Sequence, residues 1–528
     1  MKIKSFSSLF LISIFLIVQT EIYPQEEVRT EERLLPHMDM RDGKISPPGW
    51  SYPTSIQDHG YDVLHYYLDV LLDFWDEMLS GKVTITSTAS ESGLNSITLH
   101  SENLQIYNVL MDTISLDFSI SGDELTILLA QTFDSGDTFT VTIEYSAPSY
   151  PDNLETGLHF SKGGAYTFAE PYGARRWFPS FDKPWDKATV ELKVTVPEDM
   201  EVASNGLLIN VTRDSLSSTR TFHWRENYPL STYLISLAAY KYSIWAETFN
   251  DSIPVVYYVY PEDSLKAAVD FSNTVDMMGF FSKKFYPYPF EKYGMAEAPI
   301  FNGWGAMEHQ TMTTYGDRLI TGDRTFEYIV VHELAHMWWG DLVTCADFRN
   351  IWLNEGFATY SEALYYEATE NNLREYMEPL KDRYFIEDQE IRYPIYNPPE
   401  SKLFGTAIYE KGAWVLHMLR YLIGEENFWN TMRTYAENFA YGNASTSDFK
   451  NVAEYVSGEE LSAFFQEWVY MAGYPEYAYS FKLDGTVCKS CSNVGKDTWY
   501  TFKLEQLQRG EGTPSLFTIP LDVYFYSG

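Results

Sequence analysis

His332 and His336 stand four residues apart in the stretch FEYIVVHELAHMWWGDL (residues 326–342), with Glu333 directly after the first histidine. The stretch has helical composition, and on a helix positions i and i+4 share one face. Two imidazoles so placed are close enough to share a metal ion. Neutral imidazole suits Zn²⁺, which takes N, S or O donors in a tetrahedron. The adjacent carboxylate can then act as general base toward water at the metal. The chain has ten histidines and 74 acids, so an isolated HExxH needs support from a third ligand. Glu355, in NEGFATY, lies nineteen residues beyond His336 and opens a second helix-like run, 355–367. Two histidines and one carboxylate leave a fourth position open, which distinguishes a catalytic zinc site from a structural one. Glu362, seven residues on, falls on the face of Glu355. It is either a hydrogen-bond partner behind a ligand histidine or an ordinary surface acid. Asp341 likewise either backs a ligand or marks the helix end.

These side chains need a frame, and the hydrophobic period supplies one. Lys2 and Lys4 precede an apolar run, 9–18, followed by polar Gln19, Thr20 and Glu21. That pattern is an export leader, expected over 1–25. A polar, proline-bearing linker follows over 26–55. Val83 and Ile85, Ile97 and Leu99, Val141 and Ile143, and Val190, Leu192, Val194 and Val196 then recur with period two. An antiparallel β domain with one wet face is expected over 56–247. After Pro261 the period lengthens; Asp263 or Ser264 is a candidate cap for a helix through Leu265, Ala268 and Val269. A mainly α catalytic domain is expected over 248–475. Phe481 and Leu483, Phe502 and Leu504, and Leu521 and Val523 return to strand texture, an incomplete β-sandwich over 476–528. The fold class is therefore multidomain α+β.

The charge narrows the partners. With 38 basic and 74 acidic residues the net charge is −36 over 528 residues. Such a surface repels phosphate backbones and anionic lipid, so no nucleic-acid partner is expected. No stable membrane insertion is expected once the leader is removed, because no later run offers eighteen apolar residues. The three cysteines cannot build a disulfide framework. Cys488 and Cys491 are read as a local disulfide of an exported protein, and Cys345 as a buried small residue.

HELAHMWWGDLVT followed by IWLNEGFATYSE resembles the aminopeptidase N family of zinc metallopeptidases (gluzincins), which also contains the leukotriene-hydrolase type. The resemblance runs from about Tyr61 to Tyr526 and implies a thermolysin-like catalytic domain with one Zn²⁺ on His332, His336 and Glu355. Gly305-Ala306-Met307-Glu308-His309 resembles that family's GAMEN motif. The match implies that Glu308 grips the free α-amino group of a peptide, and that backbone at Gly305, Ala306 and Met307 pairs with an extended substrate. A carboxylate in an enclosed cleft suits a terminal ammonium, a charge that an internal peptide bond does not offer. His309 replaces the usual Asn. FAEPYGARRWFPSFDKP (168–184) resembles a stretch of the family's N-terminal domain and implies that Glu170 is a second amine-binding carboxylate. It departs at Phe168, Ser180 and Lys183. IYEKGA (408–413) resembles the family's YEKG motif, which makes Tyr409 the donor to the oxyanion. WVYMAGYP (468–475) looks like the close of the catalytic domain.

The resulting expectation is an exported zinc aminopeptidase acting on peptides with a free N-terminus, with Glu333 as base. Three alternatives remain at this level: a thermolysin-like endopeptidase, an epoxide hydrolase on the same site, and a non-catalytic peptide-binding module. The family often carries a further helical domain that the 528 residues do not supply. The expectation is either a short protein with an open site or a fragment.

Overall fold

Threonine alternating with aliphatic residues puts one polar and one apolar row on a strand, and only the apolar row can be buried. The strand Ala188–Pro197 shows the outcome: Ala188, Val190, Leu192, Val194 and Val196 are all buried, with the residues between them half-buried. The computed structural model describes residues 2–4, 14–16, 59–151, 155–487, 497–510, 512–518 and 521–523. The expected leader and linker lie almost wholly outside these residues. So do Cys488 and Cys491.

The N-terminal region is built on an eight-stranded sheet. Its spatial order is Leu207–Asp214, Thr219–Leu230, Ala188–Pro197, Tyr61–Asp73, Met78–Ala89, Thr138–Pro148, Gln105–Met111 and Ile114–Ser115. All pairings are antiparallel except one, since Ala188–Pro197 runs parallel to Tyr61–Asp73. Parallel neighbours cannot be joined by a hairpin, and here the connection carries the strands Gly157–Ser161 and Gly164–Phe168. These join Leu237–Tyr240 and Glu201–Ser204 in a four-stranded sheet. A smaller sheet is formed by Leu94–His100, Glu124–Phe133 and Phe118–Ser121.

The catalytic region opens with a five-stranded sheet in the order Ser243–Phe249, Ile253–Val259, Tyr293–Ala298, Thr313–Gly316, Ala306–Met307. Its first strand straddles the boundary expected at 247/248. Nine α-helices accompany it among the described residues, the first two between its strands Ile253–Val259 and Tyr293–Ala298: α1 (Ser264–Asp270), α2 (Thr274–Lys284), α3 (Glu327–Ala335), α4 (Trp352–Glu370), α5 (Leu373–Glu390), α6 (Gly412–Ile423), α7 (Glu425–Phe439), α8 (Thr446–Ser457) and α9 (Ser462–Trp468). A five-residue π-helical turn, Ala407–Lys411, leads into α6. The expected cap of α1 is not made. Asp263 takes the N-cap position without a side-chain bond to the helix backbone, and the Ser264 hydroxyl donates backward to the Tyr260 and Pro261 carbonyls. By contrast α8 has a full capping box from Ser445 and Asp448. The tail contributes an antiparallel hairpin, Tyr477–Val487 with Asp497–Gln506. Among the described residues no helix is long and apolar enough to cross a membrane.

Candidate metal centre and amine subsite

Helix α3 is shorter than its composition suggests. It ends at Ala335, His336 is its C-cap, and the chain turns through Gly340 at φ +142° into the short strand Val343–Cys345. The turn matters because the His336 Nδ1 lies 2.8 Å from the Trp339 carbonyl, which can orient the ring. His332 Nδ1 lies 2.8 Å from Glu362 Oε1 on α4. Both rings thus direct Nε2 to one point, with the two Nε2 atoms 3.1 Å apart and each 3.3 Å from Glu355 Oε2. All three residues are fully buried.

Three donors on zinc bonds of about 2.0–2.1 Å at tetrahedral angles stand about 3.3 Å apart, so the cluster fits zinc. Its charge agrees. Burial opposes a proton on His332, but the hydrogen bonds to Glu355 and Glu362 outweigh it and lift the pKa to about 10. A pocket that holds this excess of negative charge is one that a cation satisfies.

The remaining groups arrive from separate elements. Glu333 is buried beside His332 on α3. Tyr409, on the π-turn, stacks its ring 6.1 Å from the His332 ring and is 7% exposed. Glu308 follows Ala306–Met307, which is the edge strand of the five-stranded sheet. The chain enters that edge through left-handed Phe301, Asn302 and Gly303. Glu170 follows Gly164–Phe168 from the N-terminal region and precedes a cis proline, Pro171. Glu170, Glu308 and Glu355 are fully buried and bring one carboxylate oxygen each within 4.8 Å of the others.

Two stretches of the chain match family models, the Peptidase family M1 domain over residues 269–468 and the Peptidase M1 N-terminal domain over residues 62–234. The chain belongs to the M1 peptidase family. Aminopeptidase M1-B of Oryza sativa is 31% identical over 68% of this chain and 42% of that protein. Glutamyl aminopeptidase of Rattus norvegicus is 30% identical over 62% and 36%. The chain thus spans about two fifths of the length of such relatives. An M1 zinc metallopeptidase from Deinococcus radiodurans, solved as a mutant bound to a Tyr-Ser-Ala substrate, superposes with a TM-score of 0.69 at 25% identity. That match covers 82% of this chain and 97% of the other.

Within this M1 chain Glu362 takes the place behind His332, and Asp341 does not take the matching place behind His336, which the Trp339 carbonyl occupies. Asp341 is buried, and burial together with Glu308 pushes its carboxyl well above the usual range, against the pull of Lys187. The Lys187 amine donates to the Asp341 carbonyl at 2.7 Å, and burial lowers it to about 7. Cys345 is buried and free, outside the metal cluster. His309 has Nδ1 2.9 Å from the Thr314 hydroxyl on the neighbouring strand. Phe168 packs edge-on against Phe301, centroids 4.6 Å apart. The arginines of GARRWF serve the fold: Arg175 Nε donates to Asp182 at 2.9 Å, and Asp182 accepts from the Thr232 hydroxyl. Sequence reading missed Tyr233. Its hydroxyl accepts from Asn354 Nδ2 at 3.3 Å, and burial, then Glu308 and Glu170, push its pKa far up. One tyrosine among 41 carries no local signal of this.

Proposed function

We propose that this protein is a zinc-dependent aminopeptidase that removes the N-terminal residue from peptides with a free α-amino group. The observation that carries the reading is the convergence of Glu170, Glu308 and Glu355 at the metal cluster. Buried carboxylates gathered at one point are costly unless a cation satisfies them. A peptide's terminal ammonium is such a cation, and its attachment there places the first peptide bond beside His332, His336 and Glu355. Substrate register is thereby set by distance from the amine.

His332, His336 and Glu355 would hold zinc, which when bound would supply a Lewis acid and lower the pKa of a water. Glu333 takes the proton from the attacking water and delivers it to the leaving amine. Tyr409 donates its phenolic O–H to the oxyanion that develops on the scissile carbonyl. Backbone at Gly305, Ala306 and Met307, at the edge of the five-stranded sheet, aligns the extended substrate.

The test is a panel of fluorogenic aminoacyl amides, free and N-acetylated, assayed with and without a chelator. Free substrates are expected to be cleaved, acetylated ones spared, and all turnover lost on chelation and restored by zinc. Comparable cleavage of acetylated substrates would make the enzyme an endopeptidase. We also infer export, supported by Lys2 and Lys4 ahead of the apolar run. Fractionation of expressing cells tests it, and a cytosolic product with its leader intact would oppose it.

A further inference from the structure

Helix α4, which carries Glu355, and α6, which follows Tyr409, meet through two glycines. A Cβ on Gly356 would stand 2.9 Å from the Gly412 Cα, 3.1 Å from its carbonyl carbon and 3.2 Å from the Ile408 carbonyl oxygen. A Cβ on Gly412 would stand 2.9 Å from the Gly356 Cα. Both residues lie in helices, and neither is among the positive-φ glycines, so conformational freedom is not what glycine provides here. It provides space. Ordinary helix pairs are held about 8–10 Å apart by their side chains, whereas this pair touches backbone to backbone.

The contact has a direction. Gly356 is the residue after Glu355, and Gly412 comes three residues after Tyr409. Between Tyr409 and Gly412 the chain is π-helical, a turn type found mostly as single insertions and often at functional sites. That turn is pinned from its other side as well. Arg383 Nε donates to Glu410 Oε1 at 2.9 Å, and Lys411 Nζ donates to the Met471 carbonyl at 3.2 Å. Tyr409 lies in this held turn with its ring centroid 6.1 Å from that of His332, so the seating of α6 on α4 bears on where the phenol stands relative to the cluster.

We propose that Gly356 and Gly412 are positioning residues for Tyr409, a side-chain-free contact that ties the oxyanion donor to the helix bearing the carboxylate ligand. The proposal rests on the oxyanion role given to Tyr409 above. One methyl at either glycine wedges the two helices apart and draws the phenol back, while Glu170 and Glu308, which are carried outside α4 and α6, stay as they are.

The experiment compares wild type, Gly412→Ala, Gly356→Ala, Tyr409→Phe and the double variant Gly412→Ala with Tyr409→Phe. It reads kcat, KM, zinc content, melting temperature and the Kd of a phosphinic dipeptide analogue. Tyr409→Phe is expected to lose about 10²–10³-fold in kcat. Each glycine variant is expected to lose at least about tenfold in kcat and in analogue affinity, with zinc retained and KM within about twofold. In the Tyr409→Phe background the added methyl is expected to cost less than about twofold, since coupled groups do not add. A full, multiplicative loss in the double variant, or wild-type kcat in both glycine variants, would overturn the proposal and leave the aminopeptidase reading intact. If Tyr409→Phe itself kept wild-type kcat, the reading of Tyr409 would fail first. Should the glycine variants not fold, Lys411→Met frees the same turn without entering the packed contact. It is expected to lower kcat alone, and only while Tyr409 is present; unchanged kcat there would also overturn the proposal.

Discussion

Glu333 and His332 are neighbours in sequence but point to different tasks, because a helix turns each successive side chain by about a quarter of a circle. His332 reaches the metal cluster through Nε2, and Glu333 stands beside it, fully buried. Replacing Glu333 by Gln keeps the shape and removes the base. Its kcat is expected to fall by at least about 10³-fold, in the range of a positioned general base, with zinc content unchanged by metal analysis. A variant within tenfold of wild type would end the proposed role. The same scale explains His309. Its ring is engaged with Thr314 on the neighbouring strand, and Glu308 beside it stands at the cluster.

At the scale of elements the decisive pairing is α3 with α4. Glu362 bonds His332 at 2.8 Å and is itself held by the Tyr376 hydroxyl from α5, so three helices fix one imidazole. Glu362→Gln is expected to weaken zinc about 10–100-fold in competition with a chromogenic chelator, with little change in kcat once loaded. A second buried carboxylate, Glu297, ties the strand Tyr293–Ala298 to the Tyr260 backbone amide at 2.7 Å. Burial raises its pKa to about 8, against the hydrogen bond from Tyr260. A carboxyl whose folded pKa lies above its unfolded value favours folding below about 4.5 and loses that contribution as pH rises to about 8. Glu297→Gln keeps an acceptor for Tyr260 and removes the titration. Its melting temperature relative to wild type is therefore expected to climb between pH 4.5 and 8 and then level off. A difference that does not change with pH would show that Glu297 is already ionised.

Across the whole molecule, the cluster of Glu170, Glu308 and Glu355 forms where the two regions meet. Glu170 is delivered by the N-terminal region and Glu308 by the catalytic sheet, and Lys187 bridges the same regions at the Asp341 carbonyl. If both carboxylates hold one ammonium, Glu170→Gln and Glu308→Gln should each raise KM for free-amine substrates, and their double variant should lose less than the product of the two. Strict additivity in kcat/KM would separate their roles.

Chemistry with a local period was legible before any coordinates. His332, Glu333 and His336 announce themselves because one helical turn fixes their relation, and the alternating residues of 188–197 declare their buried face for the same reason. Glu355 was legible as a third ligand from its place at the start of a second helix-like run, and the motif matches added Glu170, Glu308 and Tyr409. What the sequence could not state is any relation set by how elements pack. Tyr233 reaches Asn354 across 121 residues, the partner of His336 is a backbone carbonyl exposed by a turn at Gly340, and the separation of α4 from α6 is decided by two missing side chains. Periodicity encodes which face of an element is buried. Which partner that face meets, and at what distance, is a property of the assembled fold.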